Sequence, residues 1–360
     1  MRTGTANLPL HGGNAPAWLF SRMTKLAREI VSLMVIESGP GEVLRKLSDP
    51  YWFQALGCVL GFDWHSSGVT TTVCGAIKEG MKGLEGELGL FVAGGKGKVS
   101  RRTPDEIRDR AETHSLNLNP DTLVYASRMS AKVDNTAVQD GYQLYHHVFI
   151  FDRTGEWAVI QQGMNETNHW ARRYHWLSAG VKDFVCEPHA AVCSDSRDQL
   201  VLNMVAEEAG DSRKTSALLA SEKPEKLAKE IERLHELSLP SHHAVLVSDL
   251  NPRSLERILL KAYERQPEDF RGLLEIQGVG PKTVRALAMI ADLVYGSPAC
   301  TRDPAKFSFA HGGKDGYPYP VNRRVYDGSI EIIKRAVERA KVEDRTKADA
   351  LRRLSRFYEF

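Results

Sequence analysis

Apolar positions in the first part of the chain recur at helical spacing. Leu19, Met23, Leu26, Ile30 and Leu33 share one face of a segment that Pro16 opens, with Arg22, Lys25 and Glu29 on other faces, and Gly39-Pro40-Gly41 ends it. A second apolar segment, Tyr51 to Phe62, follows Asp49 and Pro50. The turn after it carries serines placed to cap a helix starting near Val69. Leu88 to Ala93 reads as a short strand entering a glycine-rich loop. Thr103, Pro104 and Glu106 then form a capping box, and Asn119-Pro120 starts a further helix.

The clearest β signal is the stretch "YQLYHHVFIFDRTGEWAVIQQGMN", two apolar runs around Thr154-Gly155. From about residue 198 the pattern turns helical, with segments expected near 198–209, 224–237, 252–265, 268–275, 281–294, 324–340 and 344–358 and only a short strand-like "HAVLV". These periods predict an α+β protein. An N-terminal mixed α/β domain with a central β-hairpin or sheet is expected over 1–197, and an all-α domain over 198–360.

Composition adds limits. With 360 residues, 42% hydrophobic and 26% charged, the chain is globular, and its net charge of +2 means that any nucleic-acid contact must come from local basic patches. Five cysteines without a CxxC pair indicate neither a disulfide framework nor a zinc ribbon, which fits a reducing cytoplasm. The first twenty residues lack the continuous apolar stretch of a signal peptide, and no run is long enough to span a membrane.

"FRGLLEIQGVGPKTVRALAMIADLVYG", Phe270 to Gly296, resembles the helix-hairpin-helix motif of DNA-binding and DNA-repair proteins. Gly278 and Gly280, flanking Val279, are expected to take positive φ and let a phosphate approach. Pro281 suits the first turn of the second helix, whose N–H groups make an anion site, and Lys282, Thr283 and Arg285 stand beside it. The resemblance implies DNA backbone contacts with little reading of sequence. In bifunctional base-excision glycosylases a similar motif carries a Schiff-base lysine. Lys282 matches it by position, but Asn322 stands in "YPYPVNRRVYD" where an aspartate would serve as base.

The β-hairpin carries the other constellation. A two-residue turn at Thr154-Gly155 places His147 opposite Gln162 and His146 opposite Gly163, so four polar side chains with Gln161 gather at one end of an apolar hairpin. Buried imidazoles and amides need partners. Lys132, Asp134 and Asp140 before the first strand, and Asn165, Arg172, Arg173 and His175 after the second, are the candidates. Carboxylates and imidazoles that hold a divalent metal, Mg or Mn, with cations to stabilise phosphorane charge, form a set suited to phosphodiester cleavage. Asp140, His146 and His147 are candidate ligands, as are Asp63 and His65 in the turn "GFDWHSSG". "GGKGK" lacks the spacing of an ATP-binding loop and reads instead as a phosphate-contacting loop; no nucleophile elbow is present.

The segments "RTGTANLPLHGG", "LSDPYWFQALGCVLGFDWHSSG", "SAKVDNTAVQDGYQLYHH", "AVIQQGMN", "ARRYHWLS" and "KFSFAHGGKDG" are similar to a prokaryotic family known as domain of unknown function 763. That resemblance implies kinship without a reaction, and an Asp where Asn322 stands here. The expectation is a cytoplasmic DNA-processing or repair enzyme, a metal-dependent nuclease. The alternatives are a glycosylase or abasic-site lyase acting through Lys282, and a DNA-binding protein without catalysis.

Overall fold

A computed structural model of the chain describes residues 17–61, 68–165, 170–194, 201–236, 252–306 and 323–356. Its centre is a five-stranded antiparallel sheet in the order β1-β3-β4-β5-β6, formed by Leu90–Lys96, Gln143–Asp152, Trp157–Met164, Ala171–Leu177 and Ala191–Ser194. Two-residue strands β2 (Val138–Gln139) and β7 (Leu202–Asn203) pair separately. The sheet is covered on both faces, so its strands are almost continuously buried rather than alternating between buried and exposed.

One face carries Val92, Val148, Ile150, Ala158 and Ile160 into a layer built from α1 (Ala17–Ser38), α2 (Pro40–Ser48), α3 (Pro50–Leu60) and α4 (Gly68–Met81). The helix starts follow their local chemistry: Gly39 at φ 81° turns the chain between α1 and α2, and the Asp49 carboxylate accepts from the Tyr51 and Trp52 amides at the start of α3. The short α5 (Glu85–Leu88) leads into β1. The last two helices, α13 (Arg323–Arg339) and α14 (Asp344–Arg356), C-terminal to the expected division at 198, pack on α1 and α3.

The opposite face carries Phe91, Phe149, Phe151, Val159, Tyr174 and Trp176 against α6 (Thr103–Thr113) and α7 (Pro120–Lys132). The same core continues into α8 (Gly210–Ala220), α9 (Pro224–Glu236), α10 (Pro252–Arg265), α11 (Phe270–Glu275) and α12 (Pro281–Tyr295). The helical segments expected from 224, 252, 268 and 281 are present. Of the one expected over 198–209, the described residues 201–209 form no α-helix: β7 pairs with β2 there, and the helix begins only at Gly210. "HAVLV" lies outside the described residues. Strand β5 has no apolar alternation to announce it because Arg172 and Arg173 are buried and partnered within it, against the usual exposure of arginine.

The expected capping box is also corrected. Thr103 Oγ1 donates to the Ser100 carbonyl, and Glu106 reaches across to the Gly94 amide at 2.9 Å and to Lys78 Nζ at 2.6 Å. Lys78 in turn donates to the Gly94 carbonyl, so the glycine-rich end of β1 is clamped from both sides. Gly94, at φ 92°, lies so close to β3 that a Cβ would sit 2.3 Å from the His147 carbonyl oxygen. Gly94→Ala is therefore expected to cost at least about 2 kcal/mol in urea unfolding, whereas Gly97→Ala, with open space around it, costs only about 1 from its left-handed φ. Equal stability of the two variants would contradict this packing.

Candidate functional site

The β3–β4 register decides which polar groups meet. The connection is a three-residue loop, Arg153 to Gly155, closed by the Asp152 amide on the Glu156 carbonyl, with Gly155 at φ 87°. The Asp152 carboxylate holds it by accepting from the Thr154 and Glu156 amides and the Thr154 hydroxyl. The two-residue turn expected from Thr154-Gly155 is thus overturned, and the pairing moves by one: His147 stands opposite Gln161, and His146 opposite Gln162. Tyr145 is bulged out of the ladder beside them, a device common near functional sites.

On the His147 face, the chain after α7 passes through a π-helical turn, Val133–Ala137, that swings Asp134 beneath the sheet. Asp134 is fully buried. Its Oδ2 accepts from Gln161 Nε2 at 2.6 Å and Trp176 Nε1 at 2.9 Å, and its Oδ1 meets His189 Nε2 at 2.5 Å. A carboxylate oxygen that already takes the indole N–H can only accept from the amide, so Gln161 must turn its NH2 toward Asp134 and its oxygen toward His147. His147 Nδ1, 3.0 Å from that oxygen, therefore carries the proton. Its Nε2 is left as an acceptor, 2.8 Å from Ser127 Oγ on α7. Burial pushes His147 down to about 4, against the raising effect of Gln161, so the ring is neutral near pH 7.

The other expected residues divide between networks. Asp140 shares the His147 face but accepts from Arg172 at 2.7 Å, from the Tyr174 hydroxyl at 2.8 Å and from the Tyr142 amide, while Arg172 also binds Asp303. Arg173 and His175, expected beside His147, lie on the opposite face. Arg173 donates to His175 Nε2 and to Gln54 and covers the Phe53 ring; His175 Nδ1 donates to the Leu47 carbonyl. They lock β5 to α2 and α3 and do not reach His147. Gln162 binds the Tyr145 hydroxyl. His146 is buried with both ring nitrogens unpartnered among the described residues, and burial, with the nearby His147 and Lys96, pushes it down to about 3.

A cleft of about 640 Å³ opens where these elements meet α12. One wall is α7 and the strand, with Ser127, Arg128, Lys132, Tyr145, His146 and His147; Ser100 and Arg101 also line it. The other wall is Val279, Gly280 and Pro281, the turn between α11 and α12. No Asp or Glu is among the described residues lining it, whereas Arg101, Arg128 and Lys132 are. The turn is fastened to the first wall: Lys132 donates to the Val279 carbonyl, Gln139 to the Pro281 carbonyl at 2.9 Å, and Arg285 to Gln139 at 2.9 Å.

Only Gly278 of the two turn glycines has positive φ, at 100°; Gly280 is extended, and a Cβ there would meet nothing closer than the Gly278 carbonyl oxygen at 3.8 Å. The positive φ expected at Gly280 is thus corrected, while the space around its Cα is open. Lys282 is exposed and is not part of the cleft lining, Thr283 is buried inside α12, and Arg285 is engaged with Gln139. Asp63, His65 and Asn322 lie outside the described residues.

The expected ligands Asp140, His146 and His147 do not converge, and among the described residues no three His, Cys, Asp or Glu side chains are placed to hold a metal. Asp134 and Asp140 both give their oxygens to protein donors. Ser127, Trp176 and His189 were missed from the sequence. Ser127 left a trace, falling with Leu123, Val124 and Ser130 on the buried face of α7.

The profile of the family described as Protein of unknown function (DUF763) matches residues 4–321. No curated protein and no solved structure matches the chain. Among the described residues, no helix is long and apolar enough to cross a membrane.

The buried histidines predict acid sensitivity. A histidine held neutral when folded, but titrating near 6.5 when unfolded, leaves stability intact above pH 6.5 and costs about 1.4 kcal/mol per pH unit as pH falls toward its folded value. His146→Phe removes one such group, which lacks hydrogen bonds to lose. Between pH 7 and pH 5 the variant is expected to lose about 1 to 2 kcal/mol less than the parent in urea unfolding. Parallel pH curves would contradict the burial of a neutral His146.

Proposed function

We propose that this chain, which belongs to the family described as Protein of unknown function (DUF763), is a DNA-processing protein that seats a phosphodiester backbone in the cleft between the α11–α12 turn and the histidine strand and breaks it there. The observation that carries the reading is the cleft's lining: three cationic side chains, two histidines and no carboxylate among the described residues, facing a glycine turn that opens a helix. Such a surface favours a polyanion through ion pairing and the release of condensed counterions. The α11–α12 pair then acts as the helix-hairpin-helix its sequence resembles. The bare Gly280 and the amides at the start of α12 leave room for a phosphate.

The exposed Lys96, Lys98, Arg101 and Arg102 along the glycine-rich end of β1 extend this positive rim, in keeping with a phosphate-contacting loop. Contacts of this kind position a duplex without reading its bases. A comparison of magnesium, manganese and EDTA decides whether the reaction is metal-dependent.

Two measurements test the reading. Duplex affinity, followed by fluorescence anisotropy, is expected to fall steeply with salt. Arg101→Ala combined with Arg128→Ala should weaken it about tenfold and flatten the salt dependence by about 1 to 2 counterions. Gly280→Ala, at the N-cap of α12, should weaken binding while lowering the melting temperature by only a few degrees. Affinity indifferent to salt and to these changes would overturn the interface. Incubation with labelled single-stranded, duplex, flap and abasic DNA should yield strand-cleavage products; their absence under every metal condition would leave a binding protein without turnover and overturn the cleavage step.

A further inference from the structure

Ser127 is a buried hydroxyl on the cleft wall, and its immediate partner is a histidine in a fixed tautomer. The order of constraint runs inward. Asp134 takes the Trp176 and Gln161 N–H groups on one oxygen, Gln161 consequently faces His147 with its carbonyl, and His147 consequently offers a bare Nε2 to Ser127 Oγ at 2.8 Å. A hydroxyl whose only role is to satisfy a buried ring would not need a chain of further side chains to set that ring's proton. The same arrangement, a hydroxyl donating to an imidazole whose far nitrogen is held protonated by an acceptor, is what activates serine nucleophiles.

We propose that Ser127 is a nucleophile, with His147 as its general base and Gln161 and Asp134 as positioning residues; this rests on the reading that the cleft takes a phosphodiester. As Ser127 Oγ attacks phosphorus, its proton passes to His147 Nε2 and the Oγ–P bond forms. The bond from phosphorus to one deoxyribose oxygen breaks, and that oxygen leaves with the proton returned from His147 Nε2. The product is a phosphoserine diester joined to one strand end. Attack by water then frees the strand end as a phosphate monoester and regenerates the serine; attack by the departed hydroxyl instead restores the original bond. Arg128, one residue along α7 and also on the cleft wall, is placed to offset the negative charge that builds on the phosphoryl oxygens. The base is available wherever His147 is neutral, so the reaction is expected to hold its rate through neutral pH and fail in acid.

The test uses the full chain and a fluorophosphonate, which transfers its phosphonyl group to an activated serine oxygen as fluoride leaves. Intact-mass analysis and peptide mapping should find one adduct, on Ser127, absent from Ser127→Ala and at least 10-fold slower in His147→Phe. Gln161→Met should slow labelling and convert His147 from a single Nδ1–H tautomer to a mixture in imidazole 15N spectra, a change that loss of packing alone would not produce. An unlabelled Ser127 in protein that still binds duplex DNA overturns the nucleophile and leaves the interface standing, as does labelling that is indifferent to His147→Phe. A labelled Ser127 in protein that does not bind DNA supports the activated serine and overturns the DNA reading.

Discussion

A carboxylate taken fully out of water is the constraint around which the sheet is organised. Burying an ionised carboxyl without donors costs several kcal/mol, so Asp134 demands N–H groups from every side. It takes them from Gln161 on β4, Trp176 on β5 and His189 in the segment before β6. Three separate stretches of chain are thereby referred to one point. The π-helical turn that places Asp134 there also ends α7, fixing where Ser127 and Lys132 fall relative to the strand. The tautomer of His147 is a downstream consequence of the same burial.

The second wall of the cleft depends on a different kind of contact. Side chains that belong with the first wall, Lys132 and Gln139, donate to the turn's own carbonyls at Val279 and Pro281. Lys132 is half-buried by this, and burial lowers its proton affinity. The clamp fixes the turn against α7 and places the Lys132 amine in a cleft that contains no acid among its described lining residues.

Much of the architecture was legible because local chemistry and global fold agreed. Asp49-Pro50 caps and opens α3, Asn119-Pro120 does the same for α7, and the helical periods from 252 to 295 survive intact. The site was less legible. The hairpin was visible, but its register turned on Asp152, whose carboxylate stabilises a three-residue loop where Thr154-Gly155 alone reads as two. One residue of slip exchanged Gln162 for Gln161 as the partner of His147. Arg173 and His175 looked like site residues by type, yet the pleat sends them to the far face, where they hold α2 and α3. Ser127 lies in a helix separated from His147 by 20 residues, and no spacing rule links a helix face to a strand position.

The most direct measurement is a crystal structure of the protein with a short duplex whose backbone carries phosphorothioates, located by their sulfur signal. A backbone phosphate seated in the cleft, within hydrogen-bonding distance of the Gly280 and Pro281 end of α12 on one side and of Arg128 and Ser127 on the other, is the expected result. DNA bound on another surface, with the cleft left empty, would contradict it.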